Sequence, residues 1–315
     1  MSAATFSEVW RRVRLYAESA PAHLTRDWVQ GAYNDLCGRR HWAWLRTETI
    51  LSTQAARTIS VTLGQGSATV TTAGAWLSTD VGRQLRVGTG PIYTIDLVNS
   101  ASEAVLTQVY QGTSGVATAR VQDIYLVMPA DFRSFHTVND LTIQRPIAWW
   151  ISKDRLDLFD PGRIASDSRF RVLASGALST VTSLSGRVLY EAWPYPTAAG
   201  SYLVSYFKRS DTIGEDTRFQ GVLATRGDVL IEGALARCAR WPGRSKQDPN
   251  PYFNLKLAEE HESRFTQFCL QLDVMDDDQY LMDLQQVDLS KFGLAALSAD
   301  TTLMRQSDAT LADYY

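Results

Sequence analysis

The stretch Phe219-Gln-Gly-Val-Leu-Ala-Thr-Arg-Gly-Asp-Val-Leu-Ile-Glu-Gly-Ala-Leu-Ala-Arg-Cys-Ala-Arg-Trp-Pro-Gly243 admits one reading. Leu223, Val229, Leu230, Gly233, Ala234 and Arg237 recur at three- and four-residue steps, the spacing of one helix face. The spacing predicts a long helix over 219–240. Trp241-Pro242-Gly243 stops it, since proline cannot extend a helix and glycine accepts the dihedrals beyond its end. A second helix is expected from near Pro251, a good first-turn residue. Its stripe is Tyr252, Leu255, Ala258, Glu262, Phe265, Phe268, Cys269 and Leu272. The two make a helical hairpin whose apolar seam needs a third or fourth helix to cover it.

The N-terminus offers candidates. Thr5-Phe-Ser-Glu8 has capping-box spacing, and Phe6, Val9, Val13 and Tyr16 follow at helical intervals. After Ala20-Pro21, Thr25 is expected to cap a second helix carrying Trp28, Val29, Ala32, Tyr33, Leu36 and Cys37 on one face. Arg39-Arg-His-Trp-Ala-Trp-Leu-Arg46 leads from it into extended chain. Trp42 and Trp44 suit either packing beneath the helices or anchoring a partner, and packing is the commoner fate.

From about Arg57 to Met128 the chain is rich in Val, Thr, Ile, Gly and Ser. Strands are expected at 58–63, 68–72, 83–87, 92–98, 103–107 and 121–127, with glycine-marked turns between them. That pattern implies a small antiparallel barrel or sandwich. The later strands are 138–147, 170–173, 187–193 and 202–207, and the segment from Ser152 to Gly162 reads as polar. The expected fold class is α+β: a helical bundle formed by both chain ends, a central β region holding the inserted β module, and an extended C-terminal tail. The expected domains are a body at 1–56 and 129–286, the module at 57–128, and the tail at 287–315.

At 315 residues, with 45% hydrophobic and 21% charged side chains, the composition is that of a globular protein with a real core. A net charge of −3 argues against a general basic surface for nucleic acid. Only five of the 31 basic residues are lysines, and arginine suits bidentate pairing and interfaces. Cys37, Cys238 and Cys269 sit on helical apolar stripes without ligand spacing, so they read as buried thiols of a reducing compartment. Neither a signal peptide nor an apolar run of the roughly 20 residues needed to span a membrane is visible.

Chemistry is harder to find. The four histidines share no metal-ligand spacing, and neither a phosphate-binding loop nor Gly-x-Ser-x-Gly occurs. Glu259-Glu-His261-Glu262 reads as a solvated helix face. Asp154, Asp157 and Asp160 recur every third residue. They suggest either carboxylate acid–base work on a sugar or a turn paired with Arg155 and Arg163, and the turn is favoured. Asp276-Asp-Asp278 lacks the glycine and distal glutamate of a calcium loop and reads as solvated. No catalytic residue, cofactor or metal site is expected.

The order of parts carries a further signal. Arg39-Arg-His-Trp-Ala-Trp44 closes a helical pair, a β segment follows, and Leu126-Val-Met-Pro-Ala-Asp-Phe132 resumes the body. Tyr202-Leu-Val-Ser-Tyr-Phe-Lys208, the helix 219–240, its hairpin partner and an acidic terminus complete it. This layout resembles the head-to-tail connector adaptors of tailed bacteriophages, the tail-tubular or gatekeeper ring beneath the portal. The turn-rich opening of the module and Tyr110-Gln-Gly112 resemble a β module common in such phage proteins.

The resemblance implies a ring, usually of twelve copies, bound to a portal protein and to a downstream tail or nozzle protein, with double-stranded DNA in transient passage. It implies localisation in the virion neck, after assembly in the host cytoplasm, and no membrane partner. Portal docking would fall to Leu289, Phe292, Leu294, Leu297, Leu303, Met304, Leu311, Tyr314 and Tyr315 of the tail. The ring interface would use Arg39, Arg40, Trp42, Trp44, Arg237, Arg240 and Trp241. The alternatives are a carbohydrate-binding or -hydrolysing tail protein built on Asp154, Asp157 and Asp160, and another ring such as a terminator or baseplate component.

Overall fold

The computed structural model describes residues 5–147 and 149–285, which fall into two compact units, 5–44 with 212–285, and 45–211. In chain order, α1 (Phe6–Arg14) and α2 (Ala22–Arg39) are followed by the strands β1 (Arg46–Thr53), β2 (Arg57–Leu63), β3 (Thr69–Thr71), β4 (Gln84–Val87), β5 (Ile92–Ser100), β6 (Glu103–Leu106) and β7 (Gly115–Gln122). Next come β8 (Tyr125–Val127), β9 (Phe132–Asp140), β10 (Arg145–Pro146), β11 (Trp149–Ile151) and the short helix α3 (Lys153–Phe159). Then β12 (Ser166–Asp167), β13 (Val172–Leu178), β14 (Val188–Trp193), β15 (Tyr195–Pro196) and β16 (Gly200–Lys208) complete this unit. The helical unit resumes with α4 (Asp228–Arg240), β17 (Gly243–Ser245), β18 (Asp248–Pro249) and α5 (Leu255–Gln285). The chain is thus mixed α and β, with a closed barrel in its central region.

That barrel runs β2-β3-β6-β5-β4-β7, and β7 pairs with β2 to close it. Alternation does the sorting: Ile59, Val61 and Leu63 of β2 point inward between outward-facing neighbours. With Val70, Trp76, Leu85, Tyr93, Ile95, Leu106 and Val121 they fill the interior. The expected barrel is therefore present, with one strand misdrawn. The expected strand 121–127 is two strands, β7 and β8, because Asp123 leaves the ladder and its carboxylate accepts from the Gln54 amide and from Arg83.

In the same unit, β1-β16-β9-β10 and β11-β13-β14-β8 form two four-stranded sheets. Phe132, Phe170, Leu173, Tyr202 and Val204 make their core. The expected strand 138–147 instead breaks after Asp140, whose Oδ1 accepts from the amides of Thr142 (2.8 Å) and Ile143 (3.3 Å) and holds a turn. The polar segment 152–162 contains α3. Ser152 caps it by accepting from the Arg155 amide at 3.3 Å, and Leu156 is its buried anchor.

In the helical unit the Thr5–Glu8 capping box forms in both directions, at 3.4 and 3.2 Å. Thr25 does not cap α2. The helix starts three residues earlier, and the Thr25 hydroxyl bonds back to the Pro21 carbonyl at 3.4 Å. The expected helix 219–240 is shorter, since Gly221 adopts φ +57° with its Cα close under the Trp44 ring, and a 3-10 turn precedes α4. Its partner begins at Leu255 rather than near Pro251, because Asn254 accepts from the amides of Lys256 and Leu257, the geometry of a cap. At Gly233, α4 comes close to both Ala32 of α2 and Phe265 of α5. A Cβ there would stand 2.9 Å from both the Ala32 Cβ and the Phe265 ring.

Candidate functional site

The three aspartates that most suggested chemistry lie on and just after α3. Asp160 caps the loop that follows, accepting from the Ile164 and Ala165 amides at 2.9 Å each and from the Trp193 indole at 3.1 Å. Burial alone would raise its pKa, but these donors outweigh it and hold the carboxyl below the usual range. Asp157 is paired with Arg163.

Arg163 is the centre of this cluster. It is buried, with φ +52°, and it donates to Glu191 (Nε, 2.5 Å) and to the carbonyls of Asp160 (2.7 Å) and Leu156 (3.3 Å). Burial disfavours its charge, but the bonds to Glu191 and Asp157 dominate and raise its pKa. Tyr195 also donates to Glu191, at 3.0 Å, and its hydroxyl is pushed up first by burial and then by that carboxylate. Asp157 and Asp160 are thus absorbed into a loop clamp. Asp154 stands exposed on α3 without an ion pair among the described residues.

A second cluster corrects an expectation. His261 does not face solvent. It is 5% exposed, its Nδ1 lies 2.7 Å from Glu232 of α4, and its Nε2 lies 2.6 Å from the Tyr252 hydroxyl. In the tautomer that donates its Nδ1–H to the Glu232 carboxylate, Nε2 accepts from the tyrosine hydroxyl. Tyr252 is pushed up to about 12, first by burial and then by charge on Cys238, Tyr16 and Glu232. The chain Tyr252–His261–Glu232 ties α4, α5 and the connection between them. Asp276 is likewise not in a solvated loop: it lies within α5, is buried, and accepts from the Ala43 amide at 2.9 Å.

The seven residues expected at a ring interface all lie in the helical unit. Trp42 is 1% exposed, gives its indole N–H to the Leu36 carbonyl at 2.8 Å and stacks on Trp44 at 4.5 Å, so it is core rather than anchor. Arg40 lies over the Trp42 ring at 5.3 Å and pairs with Asp273. Arg39 covers Phe265 at 5.0 Å, and Trp241 packs on Trp28 at 5.7 Å. Arg237 pairs with Asp35, and Arg240 with Glu262. The portal-docking residues from Leu289 to Tyr315 lie outside the described residues.

Two features had no counterpart in the sequence reading. A cavity of about 650 Å³ is lined by Ile143, Pro146, Ile147 and Phe170, with Arg145, Arg169 and Arg171 facing Asp140 and Asp167. Arg171 pairs with Asp167 at 2.7 Å, and Arg169 stands 3.9 Å from the buried Asp140. The other is apolar. Leu158, Phe159 and Ile164, around the clamped loop, are 82%, 73% and 68% exposed. Among the described residues no cluster of His, Cys, Asp or Glu is arranged to hold a metal ion, and no helix is long and apolar enough to cross a membrane. No protein-family model matches this chain, and no curated protein matches it.

Proposed function

We propose that the chain is a structural virion component: a ring-forming head-to-tail adaptor that binds beneath the portal, joins it to the tail and lines the channel for double-stranded DNA. One observation carries this reading most. Two of the three carboxylates that suggested sugar chemistry, Asp157 and Asp160, are engaged by Arg163, Trp193 and loop amides, while large apolar side chains at the end of α3 and in the loop after it stay uncovered. Asp160, held ionised by its amide and indole donors, is poorly suited to give up a proton as a general acid. Uncovered apolar side chains on a short helix and its following loop suit a protein whose work is to bind other proteins.

In this reading the helical bundle of both chain ends together with the β strands, residues 1–56 and 129–286, is the adaptor body, and residues 287–315 are the tail that docks on the portal. The net charge of −3 agrees with a channel that must release DNA, since a lumen rich in lysine and arginine would bind phosphates and slow passage. Of the three acids that the carbohydrate reading rests on, Asp157 and Asp160 are engaged within the fold and Asp154 is exposed without an ion pair among the described residues.

Mixing purified chain with portal tests the proposal. The full chain should co-sediment with portal as a defined complex, and a chain lacking residues 287–315 should stay folded by circular dichroism yet fail to bind. Undiminished binding by the truncated chain would overturn the role given to the tail. Absence of binding by the full chain would overturn the adaptor reading itself.

A further inference from the structure

The cavity beside Arg169 brings together polar groups that the fold itself leaves unused. Asp140 ends β9 directly opposite Tyr202 of β16, and Thr53 of β1 stands opposite Gly200 of the same strand. Alternation therefore puts Thr53, Asp140 and Tyr202 on one face of the sheet. A Cβ on Gly200 would run into the Arg169 guanidinium and stand 2.7 Å from the Tyr202 hydroxyl, so guanidinium and hydroxyl meet over bare backbone. Asp140 is 1% exposed and Tyr202 is fully buried. Yet Asp140 Oδ2, Arg169 Nη1, the Tyr202 hydroxyl and the Thr53 hydroxyl are all buried without a hydrogen bond. Buried polar atoms are rarely left in this state, and several gathered at one place call for a common partner.

Asp140 and Arg169 both line the cavity of about 650 Å³. Its floor includes the buried Asp140 and Phe170, while Arg145 and Arg171 are exposed and stand at its mouth. The charged lining is Arg145, Arg169 and Arg171 against Asp140 and Asp167, an excess of one positive charge. Asp167 is already taken by Arg171 and by the Ser168 amide. Asp140 Oδ1 is taken by two turn amides, and its Oδ2 lies 3.9 Å from Arg169 Nε, beyond hydrogen-bond reach. The Arg145 side chain has neither a hydrogen bond nor an ion pair among the described residues. Arg145 also stands opposite Asp140 in the β9–β10 register, so a molecule that touches one can touch the other. What the lining leaves open is thus anion-binding donors on Arg145 and Arg169, and one buried acceptor on Asp140.

We propose that this cavity binds a small organic acid carrying a hydroxyl or amine beside its carboxylate. The carboxylate takes Arg145 and Arg169, the adjacent donor reaches Asp140 Oδ2, and the body of the molecule rests on Ile147 and Phe170. A neutral polyol would leave the guanidinium charge uncompensated, and a simple anion would leave the Asp140 acceptor unmet. The volume lies within the roughly 300–1,000 Å³ of small-molecule sites. Acidic sugars and α-amino acids both carry this chemistry. The site is independent of the adaptor reading and stands or falls without it.

Calorimetric titration of the full chain with D-glucuronate, L-glutamate, D-glucose and acetate tests this. Glucuronate or glutamate should bind at least tenfold more tightly than glucose, which lacks the carboxylate, and than acetate, which lacks the donor. Whichever of the two acids binds better names the source. Asp140→Asn keeps an Oδ1 acceptor for the turn amides but replaces Oδ2 with an amino group, and should weaken that binding at least tenfold. Arg145→Gln alters an exposed, unpaired side chain, and should weaken it with an unchanged melting temperature. It decides the matter even where Asp140→Asn unfolds.

Equal binding of glucose would overturn the assignment of an acid. Equal binding of acetate would reduce the cavity to a simple anion site and overturn the role of Asp140. Affinity unchanged in Arg145→Gln would place the ligand elsewhere, and no binding of either acid at millimolar concentration would overturn the proposal outright.

Discussion

Replacing Arg163 with methionine removes the charge at the centre of the α3 loop clamp while keeping most of the apolar stem. Its principal partner, Glu191, has a side chain only 2% exposed. Taking one member from a buried pair strands the other charge, at a cost of about 3–5 kcal/mol. Tyr195 still donates one hydrogen bond to that carboxylate, so the expected loss lies near the lower end, about 3 kcal/mol. The half-exposed Asp157 is left in water and adds nothing to the sum. Arg163→Met combined with Glu191→Gln removes both charges and should recover at least half of the loss. Urea unfolding at pH 7, followed by tryptophan fluorescence, measures both variants, and Trp193 reports from within the clamp. A deficit below about 1 kcal/mol at pH 7, or one unchanged in the double variant, would refute the clamp as the loop's main support.

Gly233→Leu should destabilise the helical unit by about 3 kcal/mol or more, since a Cβ alone would already press on Ala32 and Phe265; thermal unfolding by circular dichroism checks it. Asp154→Asn and Asp157→Asn should leave a host-surface polysaccharide as intact as the unaltered chain leaves it, measured by release of reducing sugar. Above pH 9 stability should decline. Burial pushes Cys238 up to about 12 and Cys269 up to about 11, so the unfolded chain gives up those protons first. Stability from these thiols is complete below the ordinary value near 9 and lost toward 11–12, which an alkaline titration of the melting temperature would reveal.

Much of the barrel was readable because its strands alternate and glycines stand at their turns. Strand β7 was only half seen, since Gly112 and Gly115 suggested continued turning and Asp123 looked like part of a longer strand. Helix α3 escaped because seven mostly charged residues give no periodicity, and only Ser152 and Leu156 hinted at it. The roles of Asp157 and Asp160 depend on Arg163 and Glu191, which are 28 residues apart in the chain, a pairing no local pattern can announce. His261 is different. Its charged neighbours suggested a wet face, yet it stands three residues after Ala258 and four before Phe265, both buried, so helical projection already placed it inside. Asp276 follows Leu272 by one turn, and the same projection would have found it. The exposure of Leu158, Phe159 and Ile164 was not legible, because whether an apolar side chain finds cover is decided only by the finished fold.

The barrel begins and ends at neighbouring points: Arg57 pairs directly with Val121, and Arg83 joins the Asp123 carboxylate to the Ala55 carbonyl. A splice of only a few residues between β1 and β8 would therefore remove the whole barrel, and with it the Arg86 bonds to the α3 loop carbonyls and the Asp96 bonds to Thr182.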